Sequence, residues 1–280
     1  MHGTISMSRA SLQAKVREKA MKTARLTRRF VIASLLTLLL PIVLFAPQAY
    51  AETYVAGQLG ATFPGNGLSN GDVTTTSVRF PTGTLDIPSG TTVSEQSLKT
   101  SFMLGGKIGH YFSSPQWFGL EAEIFYSTPH IKQQDIKFRS DTPFTFTPAG
   151  GGPSTSIGPG EFPVGVVPGV NFHVLTIAPL NLMFRYPGNR LQPYIGIGPG
   201  IFIARIKDPS VTQGDNSQSS TKLGLNALIG VRYFLTRHVS AFAEGKYNYV
   251  RFNFPENPNF FGFNATYTPI NVAFGVSYHF

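Results

Sequence analysis

The chain ends in Pro269-Ile270-Asn271-Val272-Ala273-Phe274-Gly275-Val276-Ser277-Tyr278-His279-Phe280, and this segment gives the clearest indication of the fold class. Large apolar side chains occupy every second position, namely Ile270, Val272, Phe274, Val276, Tyr278 and Phe280. Side chains of a β-strand point alternately to opposite faces, so this strand has one apolar face and one small or polar face. The aromatic rim and the unshielded terminal Phe280 favour a strand whose apolar face contacts lipid over a strand in a sandwich.

The first 51 residues contain the three parts of a secretory signal peptide in order. A basic segment runs from Met1 to Arg29, an apolar run follows from Phe30 to Ala46, and Ala49-Tyr50-Ala51 predicts cleavage before Glu52. A membrane anchor is the alternative, because the apolar run of 17 residues reaches the lower limit for a spanning helix. Small residues at the cleavage positions favour a cleaved signal peptide over an anchor.

The export segment leaves two questions about its start and its route. Met21 opens a signal of more ordinary length, so translation starts either at Met1 or at Met21. Arg28-Arg29 resembles part of a twin-arginine signal, but Phe30 follows directly, without the expected intervening residue. We therefore predict export through the Sec route, with residues 1–51 as an N-terminal extension and cleaved signal peptide.

The basic charge of the chain belongs mostly to the export segment. The chain has 23 Lys+Arg and 14 Asp+Glu; eight bases and one acid lie in residues 1–51, which leaves 15 minus 13, or +2. A mature charge this small does not favour nucleic acid as a partner. The chain has no cysteine, so we expect neither a disulfide framework nor a thiolate metal site.

Residues 52–280 suit a single β-barrel domain made of short alternating segments. The predicted strands are Thr53–Phe63, Leu98–Phe112, Phe118–Ser127, Phe172–Tyr186, Leu191–Ile206, Lys222–Phe234, Val239–Arg251 and Pro269–Phe280. No stretch within these residues is apolar and long enough for a spanning helix, so crossing a membrane would require a closed barrel.

The predicted connections alternate between short turns and long loops. The short turns lie near Ser113, Gly188 and Thr236, and the long loops are Pro64–Ser97, Thr128–Asn171, Lys207–Thr221 and Phe252–Tyr267. Outer-membrane barrels have short turns on the periplasmic side and long loops outside. We therefore predict an all-β fold, an eight-stranded antiparallel up-and-down transmembrane β-barrel with long outer loops.

Three segments carry a resemblance to a known family: Gln192-Pro193-Tyr194-Ile195-Gly196-Ile197-Gly198-Pro199-Gly200, Gly230-Val231-Arg232-Tyr233-Phe234 and Ala243-Glu244-Gly245-Lys246-Tyr247. They resemble the OmpA-like, opacity-type outer-membrane β-barrel proteins, and the resemblance is strongest after Phe172. It implies a place in the outer membrane of a Gram-negative-type cell, in contact with outer-membrane lipid and lipopolysaccharide. It also implies that the barrel-assembly machinery reads the six apolar residues of the terminal strand as an assembly signal. The peptidoglycan-binding domain of some relatives is not expected, because the chain stops at Phe280.

Strand alternation predicts that eight charged side chains point into the barrel: Lys99, Lys107, Glu121, Glu123, Arg185, Arg232, Glu244 and Lys246. An eight-stranded barrel is just wide enough for side chains to fill it. Opposite charges confined there should pair, since a lone buried charge is costly. We favour an ion-paired plug over an open pore. Inward glycines leave a question open, because they would either relieve crowding around large neighbours or leave a narrow wet passage. They are Gly196, Gly198, Gly200, Gly224 and Gly230.

Catalysis and metal binding are not favoured by the sequence. Glu121 and Glu123 form a carboxylate pair, but we prefer a structural ion-pair network. His238-Val239-Ser240 matches the His-x-Ser pair of lipid A deacylases. It lies at a predicted periplasmic turn and faces inward, which is the wrong end and the wrong face for lipid A. The mature histidines lack metal-ligand spacing. We predict no enzyme, no metal and no cofactor.

The long loops are predicted to carry the function. Proline and glycine in Thr128–Asn171 exclude a long helix. The loop's alternating apolar residues would either extend the strands above the membrane or form a sticky binding tip; they are Ile136, Phe138, Phe144, Phe146, Phe162, Val164, Val166 and Val167. We predict a structural or adhesion-like surface role with an extracellular partner at the loops. The alternative is a narrow porin or a conduit for small solutes or hydrophobic molecules.

Overall fold

A computed structural model describes residues 52–280, except residues 168, 213 and 258. The predicted signal peptide and the two candidate start sites lie outside the described residues. The described chain forms strands β1 Glu52–Phe63, β2 Leu68–Val73, β3 Ser77–Phe80, β4 Gly83–Asp86, β5 Thr92–Val93, β6 Ser101–Tyr111, β7 Phe118–Ser127, β8 Gln134–Ser140, β9 Phe144–Pro148, β10 Thr155–Ile157, β11 Gly160–Val167, β12 Asn171–Arg185, β13 Leu191–Lys207, β14 Ser217–Phe234, β15 Val239–Phe254, β16 Phe263–Tyr267 and β17 Ile270–His279.

Eight of these strands form a closed antiparallel barrel in the order β17-β1-β6-β7-β12-β13-β14-β15, and β15 pairs with β17 to complete it. The closure is visible at Phe274, which lies opposite Leu59 of β1 on one side and Ala243 of β15 on the other. The predicted eight-stranded barrel is therefore confirmed. Strand β14 begins at Ser217 rather than at the predicted Lys222, because its pairing with β13 continues beyond the predicted start.

The two faces of the barrel wall differ in polarity as the alternation predicted. On β13, Ile195 and Ile197 are 53% and 47% exposed on the outer face, whereas Tyr194 is buried inside. The backbone groups of the wall pair between neighbouring strands, which is the condition for a β-structure to cross a bilayer. The outer face of the barrel is therefore suited to lipid, and the inner face holds the polar side chains.

The long loops form an ordered structure that we call the head, made of the described residues of 64–100, 128–170, 208–216 and 255–269. In the head, the barrel sheet continues from β15 through β16, β2, β5 and β8 to β11. A second sheet of four strands has the order β10-β9-β4-β3. Of the alternating apolar residues, Ile136 and Phe138 lie on β8 and Phe162, Val164, Val166 and Val167 lie on β11, both in the extended barrel sheet, whereas Phe144 and Phe146 lie on β9 of the second sheet. These residues thus lie in paired strands.

A hydrophobic core holds the head together and continues into the upper barrel. Ile136, Phe138 and Phe144 are buried in it, and the rings of Phe138 and Phe261 meet edge to face at 5.1 Å between centroids. Phe172 and Phe252, from barrel strands β12 and β15, belong to the same core. Phe146, Phe162 and Val164 are partly buried and pack against this core, whereas Val166 is 58% exposed.

Residues 52–280, as far as they are described, include no helix that is long and apolar enough to cross a membrane.

Candidate functional site in the barrel lumen

The middle of the lumen is occupied by five charged side chains, which we call the middle layer. Strands β6, β7 and β15 supply them: Lys107, Glu121, Glu123, Glu244 and Lys246. Alternation places them inside, because residues two apart on a strand share one face. Strand pairing then brings β6 against β7, where Lys107 lies opposite Glu123. These charges are in contact in the folded chain although they are far apart in sequence.

The two lysines of the middle layer are shared among its three glutamates. The Nζ atom of Lys107 lies 3.2 Å from Glu121 Oε1 and 2.5 Å from Glu244 Oε1. Lys246 forms an ion pair with Glu123, and its Nζ atom lies 3.0 Å from Glu244 Oε2. All five side chains are at most 1% exposed. Burial of this kind is stable only when every charge is paired and hydrogen-bonded.

Neutral side chains also donate to the three glutamates: Tyr54 and Asn226 to oxygens that the lysines do not contact, and Tyr194 to the Glu244 oxygen that Lys107 contacts. Tyr54 donates to Glu121 at 2.5 Å and Tyr194 donates to Glu244 at 2.6 Å. Asn226 donates to Glu123 at 2.7 Å. Each of these side chains comes from a different strand, so the hydrogen bonds tie the wall of the barrel together through its interior.

A chain of side-chain amides extends the middle layer across four more strands. Asn226 donates to Asn181 at 3.0 Å, and Asn248 donates to Asn226 at 2.7 Å. Asn271 donates to Asn248 at 2.8 Å, and Thr62 donates to Asn271 at 2.6 Å. We did not predict this chain. Its signal in the sequence is the asparagine at inward positions of β14, β15 and β17, but the hydrogen bonds depend on strand register.

The lower layer lies at the short-turn end of the lumen, around the carboxylate of Glu52. Arg185 forms an ion pair with Glu52, and His279 Nδ1 lies 2.7 Å from Glu52 Oε1. The Arg232 guanidinium lies 3.6 Å from the same oxygen and 4.1 Å from the ring centroid of Tyr54. The sequence predicted that Arg185 and Arg232 point inward. It did not predict Glu52 as their acceptor, because Glu52 is the first residue after the predicted cleavage site and was not among the predicted inward charges.

Lys99 does not join the lumen charges, so its prediction was wrong. It precedes β6, which begins at Ser101, and its side chain is exposed. Leu98 beside it is buried against the head, where it bridges to Ile131. From Met103 onward the odd-numbered residues of the strand point inward, whereas at Leu98 it is the even-numbered residue that is buried. Extending the odd-numbered pattern of the barrel strand back to Lys99 therefore assigns this residue to the wrong face.

The inward glycines relieve crowding. A Cβ at Gly230 would lie 2.7 Å from Tyr194 Cζ, and a Cβ at Gly196 would lie 2.5 Å from the sulfur of Met183. A Cβ at Gly198 would lie 2.1 Å from the carbonyl oxygen of Leu180. The space beside these glycines is already filled by large side chains or backbone, which supports the first of the two readings that the sequence left open.

His238 and Ser240 do not form a catalytic pair with each other. His238 is exposed in the turn after β14 and stacks on Tyr278. Ser240 is fully buried and lies 2.9 Å from Nε2 of His279, which also contacts Ser277 at 3.0 Å. Together with Glu52, these groups resemble a serine hydrolase triad in their order of contacts, but a substrate has no access to a fully buried Ser240.

The described residues provide no cluster of three or more acidic, histidine or cysteine side chains that would hold a metal ion.

The apolar residues of the terminal strand point outward, and Phe274, Val276 and Phe280 are 57%, 56% and 70% exposed. Whether the assembly machinery reads them stays a prediction.

A known family covers most of the chain: the outer membrane protein beta-barrel domain matches residues 36–280. The chain belongs to this outer-membrane β-barrel family. Membership places the protein in the outer membrane. In outer-membrane barrels of this kind the short turns lie on the periplasmic side and the longer loops lie outside. No curated protein gives a significant match.

Several solved structures are similar to this chain at low sequence identity. OprG from Pseudomonas aeruginosa is 11% identical, with a TM-score of 0.46 over 82% of this chain and 96% of that one. Neisserial surface protein A is 14% identical, with a TM-score of 0.41 over 83% of this chain and 100% of that one. Ail, the attachment invasion locus protein of Yersinia pestis, is 9% identical, with a TM-score of 0.37 over 82% and 98% of the two chains.

Proposed function

We propose that this protein is a closed outer-membrane barrel that acts at the cell surface through its head. The observation that carries the proposal is the middle layer, in which Lys107 and Lys246 join three glutamates with side chains at most 1% exposed. An ion would have to separate these pairs to pass. Breaking a buried pair is costly, because it leaves an uncompensated charge in a poorly hydrated interior.

Two further layers support a closed lumen. Above the middle layer, three aromatic side chains pack together at the base of the head. The ring of Phe172 meets those of Phe252 and Tyr267 edge to face, and the rings of Phe252 and Tyr267 are tilted against each other, with centroids 5.6 to 6.3 Å apart. Below it, Arg185 and Arg232 cover the rings of Tyr111 and Tyr54. An eight-stranded barrel has little room beside such large side chains. A narrow porin or conduit is therefore the second candidate, and it requires these layers to open.

The head is suited to a surface-interaction role because it is an ordered structure with its own buried core. Leu85 and Phe144 are at most 1% exposed, so the loops have a fixed shape. Its surface carries charged groups such as Lys137 and Glu161, whose Nζ and Oε2 atoms lie 2.9 Å apart. The hydrogen bond from Lys137 lowers the pKa of Glu161 below its ordinary value. A fixed, polar surface supports recognition of an extracellular partner in an adhesion-like manner.

The same proposal assigns no catalytic activity to the protein. Ser240, His279 and Glu52 are in contact, but the serine is fully buried and shares the imidazole with Ser277. A polar network that fixes the periplasmic end of the barrel accounts for these contacts. Export through the Sec route, contact with lipopolysaccharide and assembly by the barrel-assembly machinery remain predictions.

The surface role is tested by retention of expressing cells on immobilised fibronectin, laminin and mucin. Phe138→Ala removes a buried ring from the head core, and Phe102→Ala removes a ring that is 61% exposed on the outer face of β6. We expect retention above that of non-expressing cells on at least one surface. When the variants and the wild-type protein are present in equal amounts on the cell surface, retention should be lower for Phe138→Ala than for the wild type. Retention for Phe102→Ala should equal that of the wild type. Wild-type cells that are retained no better than non-expressing cells on all three surfaces would contradict the adhesion-like role.

A further inference from the structure

The head contains a cavity of about 180 Å³ that lies away from the charged layers of the lumen. Its walls come from the long loops and from the outer ends of β13 and β14. The lining residues are Gln96, Ile131, Ile136, Val166, Val170, Ile206, Asp208, Gln218, Asn259, Phe260, Phe261 and Phe263. Val166 and Asn259 are exposed, and they place the mouth of the cavity on the surface of the head.

The walls of the cavity are mostly apolar. Ile131, Ile136 and Ile206 are each at most 4% exposed, and the ring of Phe263 is equally buried. An apolar cavity of about 150 Å³ lined by similar side chains stays dry and binds benzene. The volume and lining of this cavity therefore suit an apolar molecule of about one six-membered ring.

One polar side chain in the wall lacks a partner. Gln96 is 3% exposed, and its backbone N–H and C=O pair with Leu68 at 2.9 and 3.0 Å. Its side-chain amide has no hydrogen bond to any described residue, although the side chain lines the cavity. The amide is therefore free to pair with a molecule in the cavity, and a ligand with a hydrogen-bonding group would take the place of water there.

Asp208 adds a second polar group at the same wall. Its Oδ1 atom accepts hydrogen bonds from the backbone N–H and the hydroxyl of Ser210, at 2.8 and 2.6 Å. These bonds fix the carboxyl group and leave Oδ2 without a donor among the described residues. Two other carboxamides line the cavity, but those of Gln218 and Asn259 donate to backbone carbonyl oxygens. The cavity thus combines apolar walls with the carboxamide of Gln96 and one carboxylate oxygen, an arrangement typical of small-molecule sites.

We propose that this cavity binds a small, mainly apolar molecule that carries one hydrogen-bonding group, of the size and chemistry of a monocyclic phenol. The ring would lie against Ile131, Ile206 and Phe263, and the hydroxyl would reach Gln96 or Asp208. The site is separate from the proposed closed lumen, because its walls belong to the head and to the outer ends of two strands. It would therefore exist whether or not the barrel conducts.

The test is a titration with phenol of the protein purified from outer membranes and placed in lipid nanodiscs, with ¹³C-labelled isoleucine δ1 methyl groups. Ile131, Ile136 and Ile206 report on the cavity, while Ile195 and Ile229, which are 53% and 66% exposed on the lipid-facing wall, report on partition into the bilayer. We expect saturable shifts at the three cavity methyl groups. The two wall methyl groups should show no saturable shift.

Two substitutions separate the cavity from its surroundings. Ile206→Phe should fill the space and abolish the saturable shifts, whereas Ile195→Phe on the lipid-facing wall should preserve them. Gln96→Leu keeps the backbone pairing with Leu68, so it should preserve the fold and weaken phenol binding about five- to tenfold, with little effect on benzene. Heat-modified gel mobility confirms that each variant has folded.

Three results would overturn the proposal. The first is an absence of saturable shifts at all three cavity methyl groups in the folded wild-type protein. The second is equal shifts at Ile195 and Ile229, which would assign the effect to phenol dissolved in the bilayer. The third is unchanged phenol affinity in both Ile206→Phe and Gln96→Leu.

Discussion

The ammonium group of Lys107 lies 2.5 Å from the carboxylate of Glu244, although their strands, β6 and β15, are not neighbours in the barrel. Strands β1 and β17 lie between them, so this ion pair crosses the lumen. Tyr194 donates to the same Glu244 oxygen at 2.6 Å, from yet another strand. The interior of the barrel is thus cross-linked by polar contacts as well as enclosed by the wall.

Removing one partner of this pair should destabilise the barrel. In Lys107→Met, two glutamates lose a cation that lies within 3.2 Å of each. We expect the free energy of unfolding to fall by about 3 to 5 kcal/mol, as for other buried pairs that lose one partner. Urea unfolding in lipid vesicles, followed by heat-modified gel mobility, measures the change.

An exposed ion pair provides the control for this experiment. Lys137 and Glu161 lie 2.9 Å apart with more than half of each side chain exposed. Surface pairs contribute little to stability, so Lys137→Met should leave the unfolding midpoint unchanged. Equal midpoints for Lys107→Met and the wild-type protein would show that the middle layer does not hold the barrel together.

Filling the space at an inward glycine should also destabilise the barrel. In Gly230→Ala, the new Cβ would lie 2.7 Å from Tyr194 Cζ, so Tyr194 would have to move away from Glu244. We expect a loss of about 1 to 3 kcal/mol, as for other overpacked interiors. Gly57→Ala is the matched control, because a Cβ there would meet no heavy atom within 4 Å. If both variants unfold at the wild-type urea concentration, the lumen has free space beside Gly230.

Much of the barrel was predictable from the sequence, because lipid on one face and a packed interior on the other impose a strict alternation on each strand. That alternation located the five charges of the middle layer without any structure. It failed at Lys99, where the strand is interrupted and the phase changes. The partners of these charges were harder to predict, because hydrogen bonds such as Tyr54 to Glu121 depend on the register and stagger of strands that are distant in sequence.

The strands of the head were not predicted individually, although strand extension was one of the two interpretations of the loops that the sequence left open. Strands such as β5 (Thr92–Val93) and β10 (Thr155–Ile157) are too short for alternation to identify. They are stabilised by pairing with distant segments, as where Val93 lies opposite Phe138. Glycine and proline in the loops indicated turns, but not which segments would meet.

The head should lose its order without loss of the barrel when its core is truncated. Phe138 is fully buried and packs against Phe261. Phe138→Ala should remove about 3 to 5 kcal/mol from the head, as for other buried aromatic rings. Limited proteolysis of the folded protein should then cleave within residues 128–170, while the barrel stays heat-modifiable. Protease resistance equal to that of Phe102→Ala would show that the head does not depend on this core.

The terminal strand should affect assembly in cells more than stability in vitro. Phe280 is 70% exposed on the outer face, so its side chain contributes little to packing within the barrel. Phe280→Ser should reduce the amount of folded protein in the outer membrane while refolding of the purified protein remains normal. Matching outer-membrane levels for the variant and the wild-type protein would exclude Phe280 from the predicted assembly signal.

The closed lumen is tested most directly by single-channel conductance of the purified, correctly folded protein in planar bilayers. The ion pairs of Lys107 with Glu121 and Glu244, and of Lys246 with Glu123, predict a silent bilayer when heat-modified gel mobility has confirmed folding. Steady, ion-selective openings that change when Lys107 or Arg232 is neutralised would contradict a plugged barrel and would establish the protein as a narrow pore.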